Sequence, residues 1–98
     1  MTDLEISTAL ALAIGWEPTQ MLIIAGKRYV ASYPNGIEEG YNWTEFDYRN
    51  WAVIGPIAEK YKMFPQPYMN KWNVHGWSDT IADTPQKAIA LAVIGATK

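Results

Sequence analysis

Apolar residues recur at helical spacing in three segments of the chain, and the first segment lies at the amino terminus. Thr2-Asp3-Leu4-Glu5 has the form of a capping box, in which the side chains of the first and fourth residues bond each other's backbone amides. The apolar residues that follow at helical spacing are Ile6, Leu10, Ala13 and Ile14. The pattern predicts a first helix that ends at Gly15, a residue suited to a left-handed helix terminus.

A second helical pattern occupies the middle of the chain, from Phe46 to Lys62. Asp47 and Asn50 are residue types that cap a helix start. One face carries apolar residues three or four positions apart, namely Trp51, Ile54, Ile57 or Ala58, and Tyr61. Proline inside a helix costs about 3 kcal/mol, so Pro56 either begins the true helix or lies in a kinked one. We expect this helix to be central and packed on a sheet.

The third helical pattern closes the chain. Thr84-Pro85 combines an N-cap residue with proline at the first helical position. The expected buried face consists of Ala88, Ile89, Leu91, Ala92 and Ile94, and the helix is expected to end at Gly95.

Strand patterns lie between these helices. Residues 20–25 and 28–33 are rich in β-branched, aromatic and other apolar residues, and the two residues between them, Gly26-Lys27, suit a primed hairpin turn. Pro34-Asn35-Gly36 is expected to form the turn that follows. Tyr41 to Phe46 fits either a strand or an ordered loop, and we favour the loop.

The carboxyl-terminal half contains one further strand pattern. Residues 63–67 contain two prolines and are not expected in the middle of a sheet. Alternation from Tyr68 to His75 predicts one half-buried strand, and residues 77–83 are expected to form a polar connection. The fold class predicted is α+β: a small three-stranded antiparallel or mixed sheet packed with three helices, in the order α-β-β-α-β-α. Residues 1–98 are expected to form a single domain.

Composition narrows the classes of function. Apolar residues make up 49% of the chain and charged residues only 18%, so an oligomer interface or a ligand pocket is expected to use the excess apolar surface. A net charge of -2 with scattered basic residues argues against direct nucleic-acid binding. The chain has no cysteine, which fits a reducing cytoplasm, and we expect neither a signal peptide nor a membrane segment.

The block Phe46-Asp47-Tyr48-Arg49-Asn50-Trp51-Ala52-Val53-Ile54-Gly55-Pro56-Ile57-Ala58-Glu59-Lys60-Tyr61 resembles the NinX-like phage proteins, a family of unknown function. Two further segments, Ile14-Gly15-Trp16 and residues 82–90, are similar to phage α-β-α sandwich domains. The resemblance implies a small phage or prophage accessory protein with an α-β-α layered fold, located in the host cell cytoplasm. It implies no catalytic residue.

Five tryptophans and six tyrosines are the strongest functional signal, because aromatic rings are favoured at interfaces. We expect Trp16, Trp51 and Trp72 to pack between helix and sheet. The candidate binding residues, which combine rings, amides and a guanidinium, are Tyr41, Asn42, Trp43, Arg49, Asn50 and Trp77.

These residues support three hypotheses. The first is a non-enzymatic, homo-oligomeric accessory protein that neutralises a host component, with an anti-immune role similar to that of anti-CRISPR proteins. The second is a sponge for a small nucleotide signal, held by Tyr41, Trp43 and Arg49. The third is a small hydrolase that uses His75 with Asp79. None of the three assigns a cofactor or a metal ion.

Overall fold

A computed structural model describes residues 1–32, 38 and 40–97 of the chain, with the side chains of Ser78 and Asp79 excepted. In chain order the elements are α1 (Asp3–Ala13), a short 3-10 turn (Pro18–Gln20), β1 (Met21–Ile24), β2 (Lys27–Ser32), β3 (Asn42–Glu45), α2 (Trp51–Tyr61), β4 (Pro65–Tyr68), β5 (Lys71–Val74), β6 (Trp77–Ala82) and α3 (Pro85–Ala96). The predicted α+β class is confirmed. The predicted element order is retained, with three strands added.

Both terminal helices begin at the residues that the sequence indicates. The Thr2 hydroxyl accepts a hydrogen bond from the Glu5 amide at 3.1 Å, and the Glu5 carboxylate accepts one from the Thr2 amide at 2.9 Å. The Thr84 hydroxyl likewise accepts from the Lys87 amide. Because these caps satisfy backbone donors that a helix start leaves unpaired, they fix where α1 and α3 begin.

The first sheet is antiparallel, with strand order β1-β2-β3. The predicted hairpin is confirmed, but its turn is Ala25-Gly26, one residue earlier than expected. Both turn residues have positive φ, 52° and 77°, as a type I′ turn requires. The expectation of a loop from Tyr41 to Phe46 was wrong, since β3 pairs with β2 there. The predicted turn at residues 34–36 lies outside the described residues.

The second sheet is antiparallel in the order β4-β5-β6 and corrects two predictions. The strand expected from Tyr68 to His75 is a hairpin, because the chain turns at Met69-Asn70 with a positive φ of 55° at Met69. Residues 77–82 form β6 and are not a polar connection. The two prolines lie on β4, an edge strand, where the missing N–H donors cost no ladder hydrogen bond.

The central helix is α3, which contacts α1, α2 and all three strands of the second sheet. This corrects the expectation that the middle helix is central. α2 runs without interruption through Pro56 and packs on α3 through Ile54, Ile57 and Ala58. Trp51, expected in the core, is 51% exposed, because it lies at the first turn of α2.

A single cluster of buried side chains joins α1, β2, α2, the second sheet and α3. The largest fully buried side chains in it are Ile6, Leu10, Ile54, Ile89 and Val93. Trp16, Trp72 and Trp77 pack against this cluster from its edge. Three alanines of α3, namely Ala88, Ala90 and Ala92, are completely buried, so neighbouring elements approach this helix closely.

Candidate functional site

The two faces of the first sheet have different surroundings. Val30 belongs to the core cluster, and α1 packs on its side of β2. Because strand side chains alternate, the residues on either side of Val30 point the opposite way. The strand register places on that opposite side the apolar residues Leu22, Ile24, Tyr29, Ala31 and Trp43, and Tyr41 joins them through its ring contact with Trp43. We call this set of six residues the aromatic face.

The aromatic face includes a pair of interacting rings at its β3 side. Tyr41 and Trp43 meet edge to face, with ring centroids 5.4 Å apart and planes inclined by 84°. Trp43 is 38% exposed and lies across from Ala31, which is only 6% exposed although it belongs to no core cluster. Ile24, 51% exposed, extends the surface toward the hairpin turn. A contiguous apolar surface of this kind is typical of an interaction site.

β3 also presents backbone groups at the edge of the sheet. The Phe46 amide donates a hydrogen bond to the Arg28 carbonyl at 2.8 Å. In an antiparallel pair every second residue bonds the neighbouring strand, so the residues of β3 two and four positions before Phe46 also direct their backbone groups toward β2. The backbone N–H and C=O groups of Trp43 and Glu45 therefore point away from β2. Within the described residues, no strand continues the sheet beyond β3.

The structure brings together only part of the predicted binding set. Tyr41 and Trp43 meet on the aromatic face, and Asn42 lies between them on the alternate side of β3. The Asn50 side chain caps α2 by accepting from the Ala52 amide at 2.9 Å. Trp77 lies on the second sheet, half-buried against the core. Its indole is 3.6 Å from the position that a β-carbon on Gly95 would occupy.

Arg49, the remaining predicted residue, is held in an ion-pair network on the α1 side of the sheet. Its guanidinium donates to both carboxylate oxygens of Asp47, at 3.0 and 2.8 Å, and to Asp3 at 3.1 Å. The Tyr48 hydroxyl donates to the other Asp3 oxygen at 2.5 Å. Hydrogen bonds from Arg49 lower the pKa of Asp47, and burial together with the bond to Asp3 raises the pKa of Tyr48. Two carboxylates, those of Asp47 and Asp3, thus already bind the guanidinium that the nucleotide hypothesis assigns to ligand binding.

We expect Arg49→Gln to raise the pKa of Asp47 toward its ordinary value of about 3.9, because the lowering depends first on the guanidinium. A carboxyl group whose pKa is lower in the folded state stabilises the fold at pH values above its unfolded-state pKa. This stabilisation is lost as the pH falls through the folded-state pKa. The loss of unfolding free energy in the variant should therefore be largest at neutral pH and should shrink below about pH 4. Because the Arg49–Asp47 pair is exposed, this loss should be under about 1 kcal/mol.

Carbon-detected NMR titration of Asp47 and urea unfolding at pH 7 and pH 3 measure these two quantities. Lys60→Gln, which removes a positive charge at the end of α2, is the matched control. A deficit of the same size at both pH values would contradict the assignment.

The hydrolase hypothesis centres on His75, which lies in the exposed turn between β5 and β6. The side chain of its proposed partner, Asp79, lies outside the described part of the structure. Within that part, no group of three or more His, Cys, Asp or Glu side chains could share a metal ion. None of the described helices has the length and hydropathy needed to cross a membrane.

Sequence reasoning missed the aliphatic half of the aromatic face. Met21-Leu22-Ile23-Ile24 is a continuous apolar run on an edge strand, so the strand is apolar on both faces, and Ile23 and Ile24, which point to opposite faces, are both about half-exposed. An unbroken apolar run on an edge strand is the signal that could have indicated Leu22 and Ile24.

Comparison of this chain with protein-family models, curated proteins and solved structures gives no match. The resemblance to NinX-like phage proteins therefore stays a prediction.

Proposed function

We propose that this chain is a non-enzymatic phage or prophage accessory protein that binds and neutralises a host protein in the host cytoplasm. The partner is most simply a component of host immunity, and the aromatic face is the binding surface. One observation carries the proposal: an apolar sheet face that includes the ring pair of Tyr41 and Trp43 lies on the side opposite α1.

The composition of the aromatic face is typical of a protein-binding surface. Trp and Tyr supply the largest share of energy at many interfaces, because they bury a wide rigid surface with few rotatable bonds. Leu22 and Tyr29 are already half-buried, so little side-chain entropy remains to be lost when they are covered. At the margin, the ion pair of Lys27 with Glu45 supplies a polar boundary, as the rims of protein interfaces do.

The proposal includes self-association through β3. Two copies can pair antiparallel through the outward backbone groups of Trp43 and Glu45, which joins two aromatic faces into one surface on a six-stranded sheet. Light scattering after size exclusion is expected to give a dimer, and a monomer at high concentration removes this part of the proposal alone.

The test of function is phage plating on host strains that carry defined defence systems, with and without expression of this chain. Protection of a defence-sensitive phage in one strain, and no effect in the strain lacking that defence, is the expected result. If plating is unchanged across a broad set of defence systems while the chain is expressed and folded, an anti-immune role is excluded.

A further inference from the structure

A second surface lies on the opposite side of the first sheet, between α1 and strands β1 and β2. It is a shallow groove of about 410 Å³. The residues that matter for its chemistry are Met1, Leu4, Ala9, Leu12, Ile23 and Arg28. Met1, Leu12 and Ile23 are 69%, 46% and 53% exposed, so the groove offers apolar surface that the core does not use. Its volume is in the range of about 300–1,000 Å³ typical of small-molecule sites.

Arg28 is the charged residue that sets this groove apart. Its Nε donates to the Thr8 hydroxyl at 3.0 Å, and that hydroxyl in turn donates to the Leu4 carbonyl at 2.8 Å. The half-buried guanidinium is thereby fixed in orientation through a neutral partner. Among the described residues, no carboxylate lies within ion-pair distance of it, whereas Lys27, Arg49 and Lys71 each pair with an acid.

The free side of this guanidinium has the donor pattern for a carboxylate. The Nε of Arg28 donates to Thr8, which leaves the N–H groups of the two terminal nitrogens available. These coplanar N–H groups can donate two parallel hydrogen bonds to one carboxylate. Among the described residues the acid on the groove rim is Glu5, which is engaged by the Thr2 amide in the helix cap. Arg28 also lines a neighbouring polar cavity with Asp3, Glu45 and Asp47, but the ion pairs of the described residues leave it out. A ligand anion at Arg28 would thus gain a fixed cation without displacing a paired protein carboxylate.

The apolar part of the groove runs along α1. Leu4, Thr8 and Leu12 lie on successive turns of α1, and at 1.5 Å per residue the first and last are about 12 Å apart. Ile23 on β1 forms the facing wall. This arrangement suits a flexible apolar chain lying along the helix better than a planar ring system, because no aromatic side chain among the described residues lines the groove.

From these observations we infer that the groove binds a small amphipathic carboxylate, its apolar chain along α1 and its carboxylate on the terminal nitrogens of Arg28. The aromatic face lies on the other side of the same sheet, so this site does not depend on the function proposed above. Its ligand class is that of medium-chain fatty acids.

The test is titration of the intact chain with decanoate below its micelle-forming concentration, followed by calorimetry and by NMR shifts of the Leu4, Leu12 and Ile23 methyl groups. Arg28→Gln is expected to weaken decanoate binding about tenfold, since a charge-assisted bidentate pair is lost. Binding of decanol, which has the same chain without the charge, should be unchanged in that variant.

Leu12→Ser tests the apolar half at an exposed position that the fold does not need. It should weaken decanoate and decanol alike, by about threefold to tenfold, because each loses apolar contact area. The inference is overturned if decanoate binds Arg28→Gln as tightly as the unaltered chain, or if the shifts map to the aromatic face. It is also overturned if only an acidic apolar peptide, and not decanoate, binds the groove.

Discussion

Trp43→Ala is expected to weaken the complex with the host partner about 30-fold or more and to remove protection in the plating assay. Truncating a central Trp in an interface commonly costs about 2 kcal/mol or more, which corresponds to this factor in Kd. Trp43 is central in the paired surface proposed above, because β3 joins the two copies there; its ring contacts Tyr41, and it lies across from the buried Ala31. The partner is the host protein recovered with the unaltered chain, and calorimetry with the purified pair measures the affinity.

Trp51→Ala is the matched control for this prediction. Trp51 is also a half-exposed indole, at 51%, but it lies on α2 and not on the aromatic face. Its replacement should leave affinity and plating unchanged. Equal losses in the two variants, with both folded by circular dichroism, would show that the aromatic face is not the binding surface.

Ile89→Ala is expected to lower the free energy of unfolding by about 2–5 kcal/mol, the range for truncating a large buried aliphatic side chain. Ile89 is fully buried on α3, the helix that contacts α1, α2 and the second sheet, so few neighbours are free to fill the space. Since single domains have only about 5–15 kcal/mol of stability, this variant should be partly unfolded in moderate urea. Urea unfolding followed by tryptophan fluorescence measures the change.

The same Trp51→Ala variant calibrates the stability measurement. The middle-helix pattern predicted that Trp51 is a core residue, whereas the structure places it at the surface of the first turn of α2. Its replacement should cost under about 1 kcal/mol. If Trp51→Ala were the more destabilising of the two, α2 and not α3 would be the organising helix.

The predictable parts of this fold are those with local chemical causes. The caps at Thr2 and Thr84 could be predicted because each depends on side chains within three residues of the helix start. The hairpin could be predicted because Gly26 and the flanking apolar runs mark a primed turn. Ala25 shifted the turn by one residue, since it adopts a left-handed conformation usually occupied by Asn, Asp or Gly.

The parts that could not be predicted depend on partners distant in the chain. β3 and β6 carry polar residues and become strands only because β2 and β5 supply a ladder for them. The turn at Met69-Asn70 has no glycine to mark it, and Met69 adopts a positive φ that its residue type disfavours. At each of these positions the local sequence propensity either gives no preference or favours another structure, and strand pairing with distant residues determines the backbone conformation.

The candidate site divides in the same way. Tyr41 and Trp43 could be selected as binding residues from their residue types and their polar neighbours in the sequence. That they share a face with Leu22 and Ile24 follows only from the strand register, which the sequence does not specify. Arg49 and Asn50 were selected for polar chemistry that the structure uses internally, in an ion-pair network and a helix cap.

The most direct test of the central claim is photo-crosslinking in host cells from a benzophenone amino acid placed at Leu22, on the aromatic face, and in parallel at Gln66 on β4 of the second sheet. We expect one host protein joined to the chain from position 22; this adduct should be lost when Trp43 is also replaced by alanine and absent from position 66. The same adducts from both positions, or only chain-to-chain products from position 22, would contradict it.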